Sequence, residues 1–264
     1  MDQSYYFNVF YPFQDEVLGR VAGLETEFYL TGGTAASRGY LQHRFSDDLD
    51  LFVNDDPRFG LWSERVTHSL AARSGWHCEV LQREERWVRL DLDRGDAGLK
   101  IELVNGVPAR VGETRDPLLL GRLDSPENIL ANKVSALVGR EEPRDLADVW
   151  GFCCRMGLSL SEGIQGARGK AAGVFPADLA RILCSATRAD WELVRWISAP
   201  EPERYQADLH ALGESLLLLY SVPSTNRPKD RTRVVLLLEE AEIDRKELQA
   251  LLKRHGLMSR WKEF

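Results

Sequence analysis

Two aspartates, Asp48 and Asp50, stand inside the apolar run "DLDLF", shortly after a Gly-Gly-Thr turn at residues 32–34. Side chains two positions apart on a strand point to the same face, so the two carboxylates are predicted to project together. Burying an unpaired charge is costly, so acids in so apolar a run need either solvent or a cationic partner. This stretch constrains the fold most, because it requires a strand that is apolar on one face and acidic on the other.

The residues around this strand alternate between helical and strand patterns. Apolar spacing predicts a helix over 14–24, and Thr34 is a suitable N-cap for a helix after the glycine turn. Strands are predicted at 27–33 and 47–54 and a helix at 61–74, followed by alternating runs at 86–93 and 99–106 that form a hairpin. Strands mixed with helices in this order predict an α/β fold.

From Ser125 onward the pattern is helical. Ser125 is predicted as an N-cap, with Pro126 at the first helical position. Further helices are predicted at 143–157, 176–187, 189–198, 203–221 and 239–254, and residues 221–233 have the composition of a long loop. The sequence therefore predicts a mixed-sheet α/β domain over residues 1–124, followed by an α-helical domain over 125–264.

The composition is that of an ordinary globular protein, with 44% hydrophobic and 28% charged residues among 264. No apolar stretch reaches the roughly 18 residues that a membrane span needs, and the N-terminus has no signal-peptide pattern. The four cysteines lack metal-ligand and redox-motif spacing, which predicts reduced thiols. A net charge of −7 argues against general affinity for nucleic acid. We therefore predict a cytoplasmic protein without a membrane partner.

The acidic strand face has the chemistry of a site for a hard cation. Mg²⁺ takes few protein carboxylates and completes its shell with water and substrate phosphates. Gly32 and Gly33 let the backbone approach a phosphate closely, and the helix that follows offers free N–H groups. A third carboxylate, Glu102 or Asp91, would allow the paired ions of phosphoryl transfer. An exposed strand edge is the alternative interpretation of these acids.

The stretch "YLTGGTAASRGYLQHRFSDDLDLF" (29–52) resembles the signature of nucleotidyltransferases with the DNA-polymerase-β fold, and most closely the AbiEii/AbiGii toxin-type family. It contains that family's Gly-Gly-Thr turn, His-Arg-x-Ser segment and Asp-hydrophobic-Asp strand. The resemblance implies a polymerase-β-like catalytic domain, nucleotide binding by Gly32, Gly33, Thr34, Arg44 and Ser46, and metal binding by Asp48, Asp50 and Glu102. The family more often has Asp at the third position, so Glu102 departs from its pattern.

A second block, "ILANKVSALVGREEPRDLADVW" (129–150), is similar to the family's Lys-x-x-Ala segment and its Arg-Asp-x-x-Asp helix. The resemblance implies that Lys133 contacts the triphosphate and that Arg144, Asp145 and Asp148 face the same cleft. Asp145 would then join Asp48, Asp50 and Glu102 as a catalytic residue. From the residues alone, a surface position for Lys133 and structural roles for Arg144 and Asp148 stay open. The residues after 150 carry no motif of this kind.

The implied activity is transfer of a nucleoside monophosphate from a nucleoside triphosphate such as ATP to an acceptor hydroxyl, with release of pyrophosphate. Mg²⁺ is the implied cofactor, with Mn²⁺ as the alternative ion. The resemblance further implies a toxin with a cognate antitoxin, an acceptor such as tRNA or a protein, and a helical domain that completes the nucleotide cleft and binds the acceptor. Two alternatives stay open: a nucleotidyltransferase that modifies a small molecule, and a catalytically inert protein on the same fold that binds a nucleotide or a partner.

Overall fold

The computed structural model describes residues 3–117 and 119–221, together with 249 and 253. The predicted loop at 221–233 and the predicted helix at 239–254 lie outside the described residues, except for positions 221, 249 and 253. Within the described part of the chain, no helix is both long enough and apolar enough to span a membrane.

The described residues contain a mixed sheet of five strands. The strands are β1 Tyr29–Thr31, β2 Asp48–Asn54, β3 His77–Arg83, β4 Trp87–Arg94 and β5 Ala97–Gly106, in the order β1-β2-β5-β4-β3. β2 and β5 are parallel, whereas the other neighbouring pairs are antiparallel. This sheet, with the helices around it, confirms the predicted α/β fold class.

Side chains alternate between the two faces of the sheet, as the sequence pattern predicts. On β2, Leu51 is buried, while Asp48 and Asp50 lie on the opposite face. The central strands β4 and β5 repeat this alternation. The buried face shares one hydrophobic core with α2 (Tyr11–Ala22) and α4 (Phe59–Ala71). The acids therefore lie on the sheet face that does not carry the buried aliphatic residues of β2.

The helix after the glycine turn is confirmed, but the prediction of Thr34 as its N-cap is wrong, because the helix begins at the glycines themselves and Thr31 precedes it. It consists of α3 (Gly32–Thr34) and a π-helical segment at Ala35–Leu41. The N-terminal helix is longer than predicted, because α1 (Gln3–Tyr5) runs through a second π-helical segment, Tyr6–Phe10, into α2. Both segments contact the loop before β2, since the Ser37 hydroxyl donates to the carbonyl of Arg44 and the Tyr6 hydroxyl donates to Asp47.

The helical part begins where the sequence predicts. The Ser125 side chain accepts a hydrogen bond from the backbone N–H of Asn128, so the predicted N-cap is confirmed. The helices are α5 Pro126–Arg140, α6 Pro143–Trp150, α7 Leu160–Arg168, α8 Pro176–Cys184, α9 Arg188–Leu193 and α10 Pro202–Ser221, with a π-helical continuation of α6 at Gly151–Arg155. The division of the chain into two domains stays a prediction.

Two elements are absent from the sequence-based prediction. β3 is an edge strand whose residues are exposed except for the partly buried Cys78, so it has no buried–exposed alternation to detect. The α7 sequence contains Gly163 and Gly166, which lower its helix propensity. A Cβ at Gly163 would lie 2.9 Å from Leu130 of α5, so close packing between helices explains the glycine.

Candidate active site

The acidic residues lie on one face of the parallel strands β2 and β5. Asp50 is directly opposite Glu102 in the pairing of these strands, and Asp48 is opposite Lys100. Asp91, the alternative third carboxylate, lies one strand further away, on β4 and opposite Lys100. The three acids that the sheet brings together are therefore Asp48, Asp50 and Glu102.

Two of these acids are bound by cations of the chain itself. The Nζ atom of Lys100 lies 3.0 Å from Oδ2 of Asp48 and 3.7 Å from Oε1 of Glu102. The guanidinium of Arg89, on β4, donates a hydrogen bond of 2.9 Å to the same Oε1 of Glu102. Asp48 and Glu102 thus have counter-charges on the acidic face.

Asp50 has no such counter-charge, since within the described residues no cationic side chain forms a salt bridge with it. Burial and the negative charges of Asp48 and Glu102 raise the pKa of Asp50 to about 6. Gly32 lies directly against this carboxylate and has a φ of +69°, a conformation that favours glycine. An acid in such surroundings is suited to a cation that the chain does not supply.

The donor set suits a hard divalent cation, because carboxylate oxygens are the ligands that Mg²⁺ and Mn²⁺ favour. As the side chains stand, no three His, Cys, Asp or Glu groups in the described part of the chain are arranged to hold a metal ion. The ammonium group of Lys100 lies between Asp48 and Glu102, where an ion shared by these two carboxylates would bind. The acids therefore fit the ion in their chemistry, and Lys100 would have to move before Asp48 and Glu102 could share an ion.

The glycine turn packs directly on the first acid of the strand. The Thr34 hydroxyl donates a hydrogen bond of 2.5 Å to the main-chain carbonyl of Asp48 and lies 3.0 Å from the Ser46 hydroxyl. A Cβ at Gly33 would lie 2.9 Å both from Oγ of Ser46 and from a terminal nitrogen of Arg44. Five of the residues predicted to bind the nucleotide, Gly32 included, are therefore in contact with each other or with the strand that carries the acids.

A network of buried charges lies next to this turn. Asp148 accepts two hydrogen bonds from Arg44, at 2.8 and 2.7 Å, and its Oδ1 lies 3.0 Å from Nε2 of His43. Burial by itself would raise the pKa of Asp148, but the charges of Arg44 and Lys133 outweigh burial and hold that pKa well below its ordinary value. Burial lowers the pKa of His43, so a neutral His43 donates to this carboxylate.

Lys133 belongs to the same network. Its Nζ atom lies 2.8 Å from Oδ1 of Asp145 and 2.7 Å from Oδ2 of Asp148, and the residue is only 6% exposed. The other oxygen of Asp145 accepts a hydrogen bond of 2.7 Å from Arg140. Both oxygens of Asp145 are thus occupied. Contact of Lys133 with a triphosphate and the catalytic role of Asp145 stay predictions.

A cleft of about 290 Å³ opens beside Asp48. Ser46 and the three arginines Arg44, Arg144 and Arg195 contribute to its lining. The side chain of Arg144 is 47% exposed, and its contact with Glu142, at 4.0 Å, is long. Arg144 therefore faces the cleft, whereas the neighbouring acids of the same helix are buried.

Sequence reasoning missed a contact between the N-terminal helix, the loop before β2 and the helical part. The Tyr6 hydroxyl donates a hydrogen bond of 2.5 Å to Asp47, and Arg195 donates to that hydroxyl at 2.6 Å and also binds Asp47. The backbone N–H of Phe45 donates to the carbonyl of Arg195 at 2.8 Å. Residues so distant along the chain carry no spacing signal that could have predicted this contact.

Residues 16–153 match the family model described as the nucleotidyl transferase AbiEii toxin of type IV toxin–antitoxin systems. The match spans more than half of the chain and includes the glycine turn, the acidic strand face and the buried charge network. The chain belongs to this family.

The fold of this AbiEii-family chain recurs in solved structures of low sequence identity. MenT4, a nucleotidyltransferase toxin from Mycobacterium tuberculosis, is 16% identical with a TM-score of 0.60, and the alignment covers 96% of this chain and 94% of MenT4. JHP933 from Helicobacter pylori is 17% identical with a TM-score of 0.57, over 90% of this chain and 99% of JHP933. No curated protein sequence matches significantly. These structural similarities show a shared fold.

Proposed function

We propose that this AbiEii-family protein transfers a nucleoside monophosphate from a nucleoside triphosphate, such as ATP, to an acceptor hydroxyl and releases pyrophosphate. The observation that carries the proposal is the placement of Asp48, Asp50 and Glu102 on one face of two parallel strands, against the turn at Gly32. Phosphoryl transfer depends mainly on positioning and on neutralising negative charge, and this arrangement supports both.

Asp48 and Asp50 are the proposed ligands of Mg²⁺, or of Mn²⁺ in its place. Glu102 either completes the metal site or accepts the proton of the attacking hydroxyl. When bound, the ion neutralises charge on the polyphosphate and lowers the pKa of the attacking hydroxyl. The acceptor oxygen forms a bond to the α-phosphorus, and the bond between that phosphorus and pyrophosphate breaks.

The residues around the acids are proposed to position the phosphates. The backbone at Gly32, Gly33 and Thr34 begins a helix, and its free N–H groups suit an anion. Arg144 and Arg195 line the cleft beside the acids and add positive charge for an anionic ligand.

The buried network is proposed to contribute positive charge to the same site. Its three cations, Arg44, Lys133 and Arg140, outnumber the carboxylates of Asp145 and Asp148 by one. The charge of Lys133 also lowers the pKa of Asp50, which burial and the carboxylates of Asp48 and Glu102 raise. We therefore assign Asp145 the role of holding Lys133 in position near the triphosphate, instead of a role in bond formation.

The biological role follows from the family, whose members are toxins of type IV toxin–antitoxin systems. We propose a cognate antitoxin as a partner, and tRNA or a protein as the acceptor, bound by the helical part of the chain. All four cysteines are free, which suits the reducing cytoplasm as the site of action.

Incubation with Mg²⁺ and each α-³²P-labelled nucleoside triphosphate in turn, first with total cellular RNA and then with protein extract, tests the proposal. We expect label on one class of acceptor with one preferred nucleotide. The double variant Asp48→Asn/Asp50→Asn should give no label while it keeps a cooperative unfolding transition. Full transfer activity in this variant would overturn the assignment.

The same assay separates the alternatives. Pyrophosphate release without label on RNA or protein would favour a small-molecule acceptor. Nucleotide binding in calorimetry without pyrophosphate release, whatever acceptor is offered, would favour an inert binding protein. The match to a family of nucleotidyltransferase toxins favours the macromolecular acceptor.

A further inference from the structure

Lys100 contacts two of the carboxylates that are proposed to form the metal site. It lies opposite Asp48 in the pairing of β2 and β5, two residues before Glu102 on the same strand. Its ammonium group contacts both acids, at 3.0 Å and 3.7 Å. One positive charge of the chain is therefore shared by two of the three carboxylates on the acidic face.

An ammonium group and a metal ion cannot use the same carboxylate oxygens at the same time. A lysine has a flexible four-carbon stem and a compact, strongly hydrated charge, so it can exchange a carboxylate for water. The Lys100 side chain is 40% exposed, which leaves it a path to solvent. The pair of Lys100 with Asp48 is partly exposed to solvent, whereas the pairs of Lys133 with Asp145 and Asp148 are buried.

Arg89 is a second cation on this sheet face, but it does not connect two of the acids as Lys100 does. Arg89 contacts Glu102 from β4, on the side away from β2, and forms no salt bridge with Asp48 among the described residues. Glu102 therefore keeps a counter-charge when Lys100 leaves, whereas Asp48 loses its counter-charge and becomes available as a ligand.

We propose that Lys100 is a positioning residue that takes the place of the divalent cation in the metal-free protein and is displaced when that cation binds. The inference rests on the proposed function, because it assumes that Asp48 belongs to a metal site. Lys100 holds the carboxylates together in the absence of metal, and competition from its ammonium group weakens metal binding. Removal of this charge should therefore strengthen metal binding, which is the opposite of what the loss of an ordinary structural residue would do.

Mn²⁺ binding to the full chain without nucleotide, followed by electron paramagnetic resonance or calorimetry, tests this inference. Lys100→Met should bind Mn²⁺ about tenfold more tightly than the wild type, a gain of about 1.4 kcal/mol. Lys100→Arg, which keeps the charge, should bind like the wild type. The matched control is Arg86→Met, which removes a cation from the exposed pair with Asp55, away from the three acids.

Thermal unfolding supplies a second readout. In EDTA, Lys100→Met should unfold at a lower temperature than the wild type, because Asp48 then has no counter-charge. Addition of Mn²⁺ should raise its unfolding temperature by more than it raises that of the wild type. If the methionine variant does not fold, Lys100→Gln repeats both measurements with a polar side chain.

The outcomes separate this inference from the proposed function. If the wild type binds Mn²⁺ through Asp48 and Asp50, but Lys100→Met binds it equally or less tightly, the role of Lys100 is overturned and the proposed function stands. If neither protein binds Mn²⁺, or if Asp48→Asn/Asp50→Asn leaves binding unchanged, the metal site and the inference both fail. Tighter binding by Lys100→Met supports both.

Discussion

A Cβ built on Gly32 would lie 1.9 Å from Oδ2 of Asp50, so the glycine turn and the acidic strand are in direct contact. A methyl group at this position must displace the carboxylate, and the φ of +69° at Gly32 adds strain. We expect Gly32→Ala to abolish nucleotide transfer and to lower the free energy of unfolding by about 1–3 kcal/mol. Transfer assays and urea unfolding measure the two effects.

Gly19, in α2, is the matched control for this substitution, because nothing lies within 4 Å of a Cβ built there. Gly19→Ala should leave transfer unchanged and raise the free energy of unfolding by roughly 0.5–1 kcal/mol, since alanine favours the helix. Wild-type transfer by Gly32→Ala would contradict the contact between the turn and Asp50.

Asp148 is expected to be the residue of the buried network that contributes most to stability. It is fully buried and binds Arg44, Lys133 and His43 at once. Asp148→Asn should lower the free energy of unfolding by about 3–5 kcal/mol, because it leaves the buried Arg44 without a carboxylate partner and leaves Lys133 with Asp145 alone. Denaturant unfolding monitored by tryptophan fluorescence gives the value.

An exposed ion pair supplies the comparison. Glu192 pairs with Arg188 at 3.2 Å with both side chains largely in solvent. Glu192→Gln should change the free energy of unfolding by less than about 1 kcal/mol. Equal losses in Glu192→Gln and Asp148→Asn would show that the buried network does not stabilise the fold as we infer.

The same network predicts how stability depends on pH. The folded-state pKa values of Asp145 and Asp148 are lowered, because the charges of nearby lysine and arginine side chains outweigh burial. Their contribution to stability is therefore fully present above the ordinary carboxyl pKa of 3.8 and is lost as the pH falls towards the folded-state values. The free energy of unfolding in urea should drop between pH 5 and pH 3, and less steeply in Asp148→Asn. Parallel curves for the two proteins would contradict this assignment.

The sequence predicted the local elements of the site better than their arrangement in space. The alternation around Asp48 and Asp50 predicts β2, and the glycines predict the turn, because both are encoded by neighbouring residues. The parallel pairing that places Glu102 opposite Asp50 depends on strand order, which no local pattern encodes. The choice between Glu102 and Asp91 was therefore open from the sequence.

The partners of Lys133 could not be predicted from the residues next to it in the sequence. A lysine on an apolar helix face is compatible with an anionic ligand or with solvent, and its partners Asp145 and Asp148 lie on the next helix. Tertiary packing also brings Arg44, from a loop distant in sequence, to the carboxylate of Asp148. Sequence patterns report periodicity along an element, whereas a charge network depends on which elements meet.

Arg144 should affect substrate binding without affecting stability. Its side chain is half exposed in the cleft beside Asp48, and its contact with Glu142 is long. Arg144→Ala should raise KM for the nucleotide or the acceptor about tenfold, the loss of about 1.4 kcal/mol of binding, and change the free energy of unfolding by less than about 0.5 kcal/mol. Steady-state kinetics with each substrate varied in turn measures the change, and unchanged KM values for both would exclude Arg144 from the binding site.

Asp50 should destabilise the metal-free protein, because it lies beside Asp48 and Glu102 without a salt bridge of its own in the described residues. Its pKa, raised from 3.8 to about 6, implies that removing its charge gains up to about 3 kcal/mol at pH 7. Asp50→Asn should therefore raise the free energy of unfolding in EDTA while it abolishes Mn²⁺ binding and transfer.

Asp91→Asn, on the same face but opposite Lys100, should change stability by less than about 0.5 kcal/mol and leave Mn²⁺ binding intact. Loss of Mn²⁺ binding in Asp91→Asn would instead make Asp91 the third carboxylate.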